Sequence, residues 1–219
     1  MKKSYVEKII ATLRDRTENL PKPLVNTIIE EYGRDPFLIL ISCLLSLRAK
    51  DIVTIHVCRE LFAQAKTPQQ LLAIATGALE KILFRLGFYK NKAQTLREVS
   101  KTLLQSFDGR VPETEAELLS IKGVGRKTAN LVLGLAFGKP AICVDVHVHR
   151  ISNRLGLVNT KTVEETEAAL QRLLPQNFWI EWNNLLVVWG QNVCVPVSPF
   201  CSKCAIRPYC ARRDITKSR

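Results

Sequence analysis

Apolar residues recur every three or four positions through most of the chain, the spacing of a helix with one buried face. The run "DPFLILISCLLSL" has Asp35 where an N-cap belongs and Pro36 at the first helical position. "TPQQLLAIAT" repeats the device with Thr67 and Pro68, and Gln70 completes a capping box. "TVEETEAALQRLL" does so again with Thr162 and Glu165. Gly33, Gly87, Gly109, Gly138 and Gly156 fall where helices should end. No stretch alternates convincingly with period two. The pattern predicts an all-α fold of about ten helices joined by short loops.

With 219 residues, 47% of them hydrophobic, the chain can build one large domain or two small ones around a real core. Its 32 basic residues outnumber 20 acidic ones, giving a net charge of +12. That balance favours a polyanionic partner, with nucleic acid foremost. No segment reaches the length of a membrane span, so no membrane partner is expected. The opening "MKKSYVEKIIATLRDR" reads as an amphipathic helix and not as an export signal. The expected compartment is therefore the reducing cytosol, where cysteines serve as metal ligands or core residues.

Four cysteines crowd the end of the chain. Cys194, Cys201, Cys204 and Cys210 are spaced C-x6-C-x2-C-x5-C in "CVPVSPFCSKCAIRPYC". Four thiolates can hold either a zinc ion or a 4Fe–4S cluster. Zinc sites usually show two C-x2-C pairs and this stretch has one, so the spacing leans toward the cluster while leaving zinc open. Cys43, Cys58 and Cys143 sit among apolar residues and read as core. Lys203, Arg207, Arg212 and Arg213 surround the cluster of cysteines. The segment could be a plain staple, a nucleic-acid contact, or both.

"LLSIKGVGRKTANLVL" places a glycine turn, Gly123 and Gly125, between two apolar helices. Such a turn exposes backbone N–H groups at a helix start and suits a phosphate. Lys122, Arg126 and Lys127 add positive charge where a helix start disfavours it. Lys127 is either a phosphate contact or a nucleophilic amine. The second role requires loss of a proton, which neighbouring cations, the helix N-terminus and partial burial would favour. Asp145, in "VDVHVHRISNRL", is either an ordinary N-cap or a carboxylate that acts on a reacting sugar.

Together, "GVGRKTAN", "VDVHVHRISNRL", "RLGFYKNKA" and the cysteine tail resemble the helix-hairpin-helix DNA glycosylase superfamily, specifically its endonuclease III family. The resemblance covers nearly the whole chain. It implies two helical domains with a DNA-binding cleft between them. One is a six-helix barrel over residues 29–139, with the helix-hairpin-helix at about 118–137. The other is a discontinuous iron–sulfur domain of residues 1–28 and 140–219. It further implies Lys127 as the Schiff-base nucleophile, Asp145 as the catalytic carboxylate, and Cys194, Cys201, Cys204 and Cys210 as ligands of one 4Fe–4S cluster. The implied partner is duplex DNA with damaged pyrimidines or abasic sites. A monomer in a prokaryotic cytoplasm, at the nucleoid, is expected.

The same match nominates DNA contacts. Leu86 and Phe88 are candidates for the apolar wedge that fills the space of a flipped base. Arg48, in "LLSLRAKD", falls in the segment facing the opposite strand, where the well-known bacterial enzyme carries glutamine. Lys122, Gly123, Gly125, Arg126, His147, Lys203 and Arg207 complete the set. Lys122 replaces a proline common in the family. Leu44, where mismatch adenine glycosylases carry glutamate, argues with Lys127 against that branch. A thymine-mismatch glycosylase is also disfavoured by Lys127. A non-catalytic DNA-binding module and an electron carrier are the readings from other classes.

Overall fold

The computed structural model describes residues 2–219, with side chains described from Tyr5 onward. Its twelve α-helices are α1 (Lys2–Thr17), α2 (Leu24–Tyr32), α3 (Pro36–Ser46), α4 (Asp51–Phe62), α5 (Pro68–Ala73), α6 (Thr76–Leu83), α7 (Tyr89–Ser106), α8 (Glu115–Ser120), α9 (Arg126–Phe137), α10 (Val146–Leu155), α11 (Val163–Leu173) and α12 (Trp179–Asn192). Single 3-10 turns lie at Gln176–Phe178, Cys201–Lys203 and Arg207–Tyr209, and no strand occurs among the described residues. The count exceeds the expected ten because the short segments α5, α6 and α8 each form a separate helix.

The expected caps are made. Asp35 accepts the N–H of Leu38 at 2.9 Å, and Thr67 and Thr162 accept those of Gln70 and Glu165 at 3.2 and 3.1 Å. Gln70 and Glu165 reach back one residue further than expected, to the N–H groups of Lys66 and Lys161. Gly87 departs from expectation: α6 ends at Leu83 with Phe84 as its C-cap, and Gly87 lies in the turn before α7.

The chain divides into two compact units. One spans Pro23–Lys139, and the other joins the N-terminal segment through Lys22 to Pro140–Arg219. The first therefore begins at Pro23 and not at residue 29, because all of α2 packs on α3 and α4. Within it, α3 is buried from Phe37 through Leu45 and is surrounded by α2, α4, α7 and α9. A helix that is apolar all round has no solvent face, which is why "FLILISCLL" occupies the centre. Each buried Leu or Ile there contributes about 1.5–3 kcal/mol.

In the second unit, Val6, Ile9, Ile10 and Leu13 form one stripe of α1 and join Val148, Ile151, Leu155, Trp182 and Leu186 in a single core. The α1 helix is tied further by the Tyr5 hydroxyl, which donates to the carbonyl of Tyr209. Arg14 grips Glu181 through two bonds of 2.5 and 2.7 Å.

Candidate functional site

The hairpin runs from the end of α8 to the start of α9. Val124 N–H returns to the Ile121 carbonyl at 3.0 Å and closes the turn. Gly123 has φ +97°, and a Cβ there would lie 2.8 Å from Thr95 Cγ2 on α7. Its glycine is required by conformation and by space together. Gly125 differs. Its backbone is extended (φ −93°, ψ 171°), and a Cβ would meet nothing within 4 Å. The missing side chain there leaves room in front of α9, whose N-terminus no side chain caps. Such an end is suited to a phosphate.

The first turn of α9 carries Arg126 and Lys127 and no acidic residue. Arg126 lies 3.3 Å from Glu115, and Lys122 lies 3.8 Å from Glu98. These pairs are solvent-exposed and worth about 1 kcal/mol or less, so a phosphate can displace them. Lys127 is exposed, which corrects the expected partial burial. The helix turns its side chain outward while Thr128, Ala129 and Asn130 take the buried positions.

A cavity of about 350 Å³ opens beside the hairpin in the same unit. Arg48, Phe88 and Gly123, from three separate stretches of sequence, all line it. Phe88 is 65% exposed and Arg48 is exposed, and both hold left-handed backbone (φ 59° and 56°). Leu86 is 3% exposed and is corrected as a wedge candidate: it packs into the core, and only Phe88 offers an apolar surface outward.

One wall of this cavity was not foreseen. Lys92 is buried, and its ammonium donates to the carbonyls of Leu44, Leu45 and Leu47 at 3.4, 3.0 and 2.7 Å. Burial lowers its pKa from the usual lysine value. The signal was present in sequence, since Lys92 occupies the same helical face as Leu96, Val99 and Leu103.

In the second unit, Asp145 caps α10. Its Oδ1 accepts the N–H groups of His147 and Val148, each at 2.9 Å, and the side chain is buried. His147 Nδ1 lies 3.1 Å from Arg150 Nη2, which also donates to the carbonyls of Gly190 and Cys194 at 3.2 and 2.9 Å. Burial lowers the pKa of Arg150. A Cβ on Gly190 would lie 2.5 Å from His147 Nδ1, so this helical glycine lets α12 approach α10. A glycine inside an apolar helical run was the available clue.

Cys194, Cys201, Cys204 and Cys210 line one small cavity with Val193, Phe200 and Ile215. Burial raises the pKa of the Cys204 and Cys210 thiols. Among the described residues, no three His, Cys, Asp or Glu side chains are gathered as a single metal ion would need. Arg154 Nη1 stands 3.4 Å from Cys194 Sγ, and the Arg212 N–H donates to Cys210 Sγ at 3.4 Å. The buried Trp189 N–H faces Cys204, and this contact opposes the rise in that thiol's pKa. Lys203 and Arg207 are exposed on the two 3-10 turns of this segment. Cys43 and Cys58 are core residues pushed up to about 12 by burial, and Cys143 is buried as well.

Comparison with known proteins places these features in context. The sequence profile of the HhH-GPD superfamily of base excision DNA repair proteins matches residues 41–176. Endonuclease III of Thermotoga maritima is 43% identical over 85% of this chain and 90% of its own. A non-covalent endonuclease III–DNA complex superposes with a TM-score of 0.84 at 31% identity, covering 97% of this chain and 96% of that one. A trapped endonuclease III–DNA covalent intermediate gives 0.77 at 32%, covering 86% and 92%.

Proposed function

From the premise that this chain belongs to the HhH-GPD superfamily of base excision DNA repair proteins and, within it, to the endonuclease III family, we propose that it is a bifunctional DNA glycosylase and abasic-site lyase acting on oxidised pyrimidines in duplex DNA. The observation that carries the reading is Lys127, an amine on the uncapped first turn of α9 behind a glycine hairpin. A structural relative has been trapped covalently on DNA, and an amine at this place accounts for such a bond.

The hairpin takes a backbone phosphate, and the damaged base leaves the stack at a cost of a few kcal/mol. Asp145 stabilises the positive charge that develops at the anomeric carbon as the glycosidic bond breaks. The neutral amine of Lys127 bonds to C1′, the base departs with the glycosidic electron pair and takes up a proton, and the sugar opens to an imine. The imine acidifies C2′. Loss of that proton expels the 3′ phosphate by β-elimination, and water hydrolyses the imine to free Lys127. Because Lys127 is exposed in the protein alone, bound DNA and not the fold must exclude water from the amine.

The four cysteines are assigned as ligands of one 4Fe–4S cluster. All four line one shared cavity, and four thiolates are the donor set such a cluster takes. The Trp189 N–H, already directed at Cys204, would find a stronger acceptor in a ligated sulfur. The cluster would act as a staple that orders the loop bearing Lys203 and Arg207.

Borohydride reduces an imine to a permanent crosslink. The protein should crosslink to duplexes containing thymine glycol or an abasic site and not to undamaged DNA, and Lys127→Gln should remove the crosslink. Absence of any crosslink with the wild-type protein would reduce Lys127 to a phosphate contact and end the lyase reading.

A further inference from the structure

Lys92 is the only buried lysine among the described residues, and the proposed reaction gives it no role. Its three N–H donors are matched by three carbonyls at the end of α3. A helix leaves its last carbonyls without internal partners, and a glycine commonly closes that end. Here α3 ends at Ser46 with Leu47 as its C-cap, and a left-handed Arg48 follows with no glycine in the turn. Lys92 therefore does the work of a C-cap from a different helix.

The same residue is bound to the other side of the cavity. Its backbone N–H donates to the Phe88 carbonyl at 2.9 Å, and Phe88 is the N-cap of α7. One lysine thus reaches Arg48's turn through its side chain and Phe88 through its backbone. Both residues line the cavity beside Gly123 of the hairpin. An exposed ring can stack on bases, and a guanidinium donates to the acceptor edge of an unpaired base. Neither can discriminate unless the distance between them is fixed.

We propose that Lys92 is a positioning residue: it sets Arg48 relative to Phe88, and through Arg48 it sets how strongly the enzyme distinguishes the base opposite the lesion. The inference rests on the glycosylase reading above. It concerns the ratio of rates between duplexes, not the presence of activity.

The test uses the full chain as wild type, Lys92→Met, Arg48→Ala and the double variant. Single-turnover excision of thymine glycol is measured opposite each of the four bases. A well-placed arginine contact discriminates by about tenfold. Lys92→Met should compress the spread of rates toward that of Arg48→Ala, and the double variant should compress it no further. Lys92→Gln, which keeps amide donors, should restore part of the spread and serves if Lys92→Met does not fold. A merely structural loss would slow all four duplexes together and leave their ratios intact, and that result would overturn the proposal. Additive loss in the double variant would overturn it too. A wild-type enzyme without excision or crosslinking would instead remove the glycosylase reading and this proposal with it.

Discussion

The hairpin and the cysteine segment present cations by opposite means. Around Gly123, order comes from the chain itself. Helices α7, α8 and α9 fix the turn, Thr95 closes on the glycine, and Lys92 ties the neighbouring helix end. From Val193 onward there is no α-helix among the described residues, and only Pro199 and Ile206 are buried there. The loop is held instead by hydrogen bonds, such as Cys194 N–H to the Trp189 carbonyl (2.8 Å), Phe200 N–H to the Val193 carbonyl (3.0 Å), and Arg154 to the carbonyls of Val195 and Pro196 (2.8 and 2.7 Å). The contrast teaches that a basic surface can be held by packed helices or by a hydrogen-bonded loop around the proposed cluster, and that only the first should be indifferent to loss of that cluster.

The largest effect should come from removing a ligand of the proposed cluster. Cys204→Ser should lower amide protection across residues 193–219 by at least about a hundredfold in hydrogen exchange. Amides of the hairpin, residues 121–129, should exchange as before. Equal loss in both regions would break the comparison, because the hairpin's order would then depend on the cysteines as well.

A smaller, local effect is expected at Phe88. Its ring is 65% exposed and makes no core contribution, so Phe88→Ala should leave thermal stability nearly unchanged. A wedge acts only where a stack must be filled. Lesion processing should slow about tenfold in paired duplex and much less in a single strand. Slowing by the same factor in both would remove the wedge.

These effects divide along the line between what the sequence shows and what it hides. The caps at Asp35, Thr67 and Thr162 were legible because capping is local chemistry within four residues. The hairpin was legible because its glycines, Gly123 and Gly125, lie two residues apart. Leu86 and Phe88 could not be told apart, since the turn that buries one and exposes the other depends on packing of α6 and α7. The exposure of Lys127 was misjudged for a similar reason: burial depends on neighbours that spacing does not name. Lys92 and Gly190 broke local rules, a cation on an apolar face and a glycine inside a helix. Both breaks proved to mark contacts between distant helices. The catalytic roles proposed for Lys127 and Asp145 came from resemblance, because an N-cap aspartate and a surface lysine look the same in sequence whatever chemistry they perform.

The smallest effect sharpens the contrast most. Arg219 lies back over the cysteine loop. Its N–H donates to the Pro199 carbonyl at 2.8 Å, and its main-chain oxygen accepts from Ser202 at 2.9 Å. Its guanidinium stands 4.0 Å from the Phe200 ring centroid and donates to the Ser198 carbonyl at 3.0 Å. Arg219→Ala deletes the side-chain contacts and spares the backbone pair. At an exposed site the loss should be about 1 kcal/mol. Iron release to a chelator, followed by the fading of cluster absorbance, should then quicken about fivefold, with hairpin exchange untouched. If Arg219→Ala instead loosened residues 193–219 as far as Cys204→Ser does, the tail and not the cluster would be what orders the loop. The two regions would then differ only in how much chain each uses to hold itself.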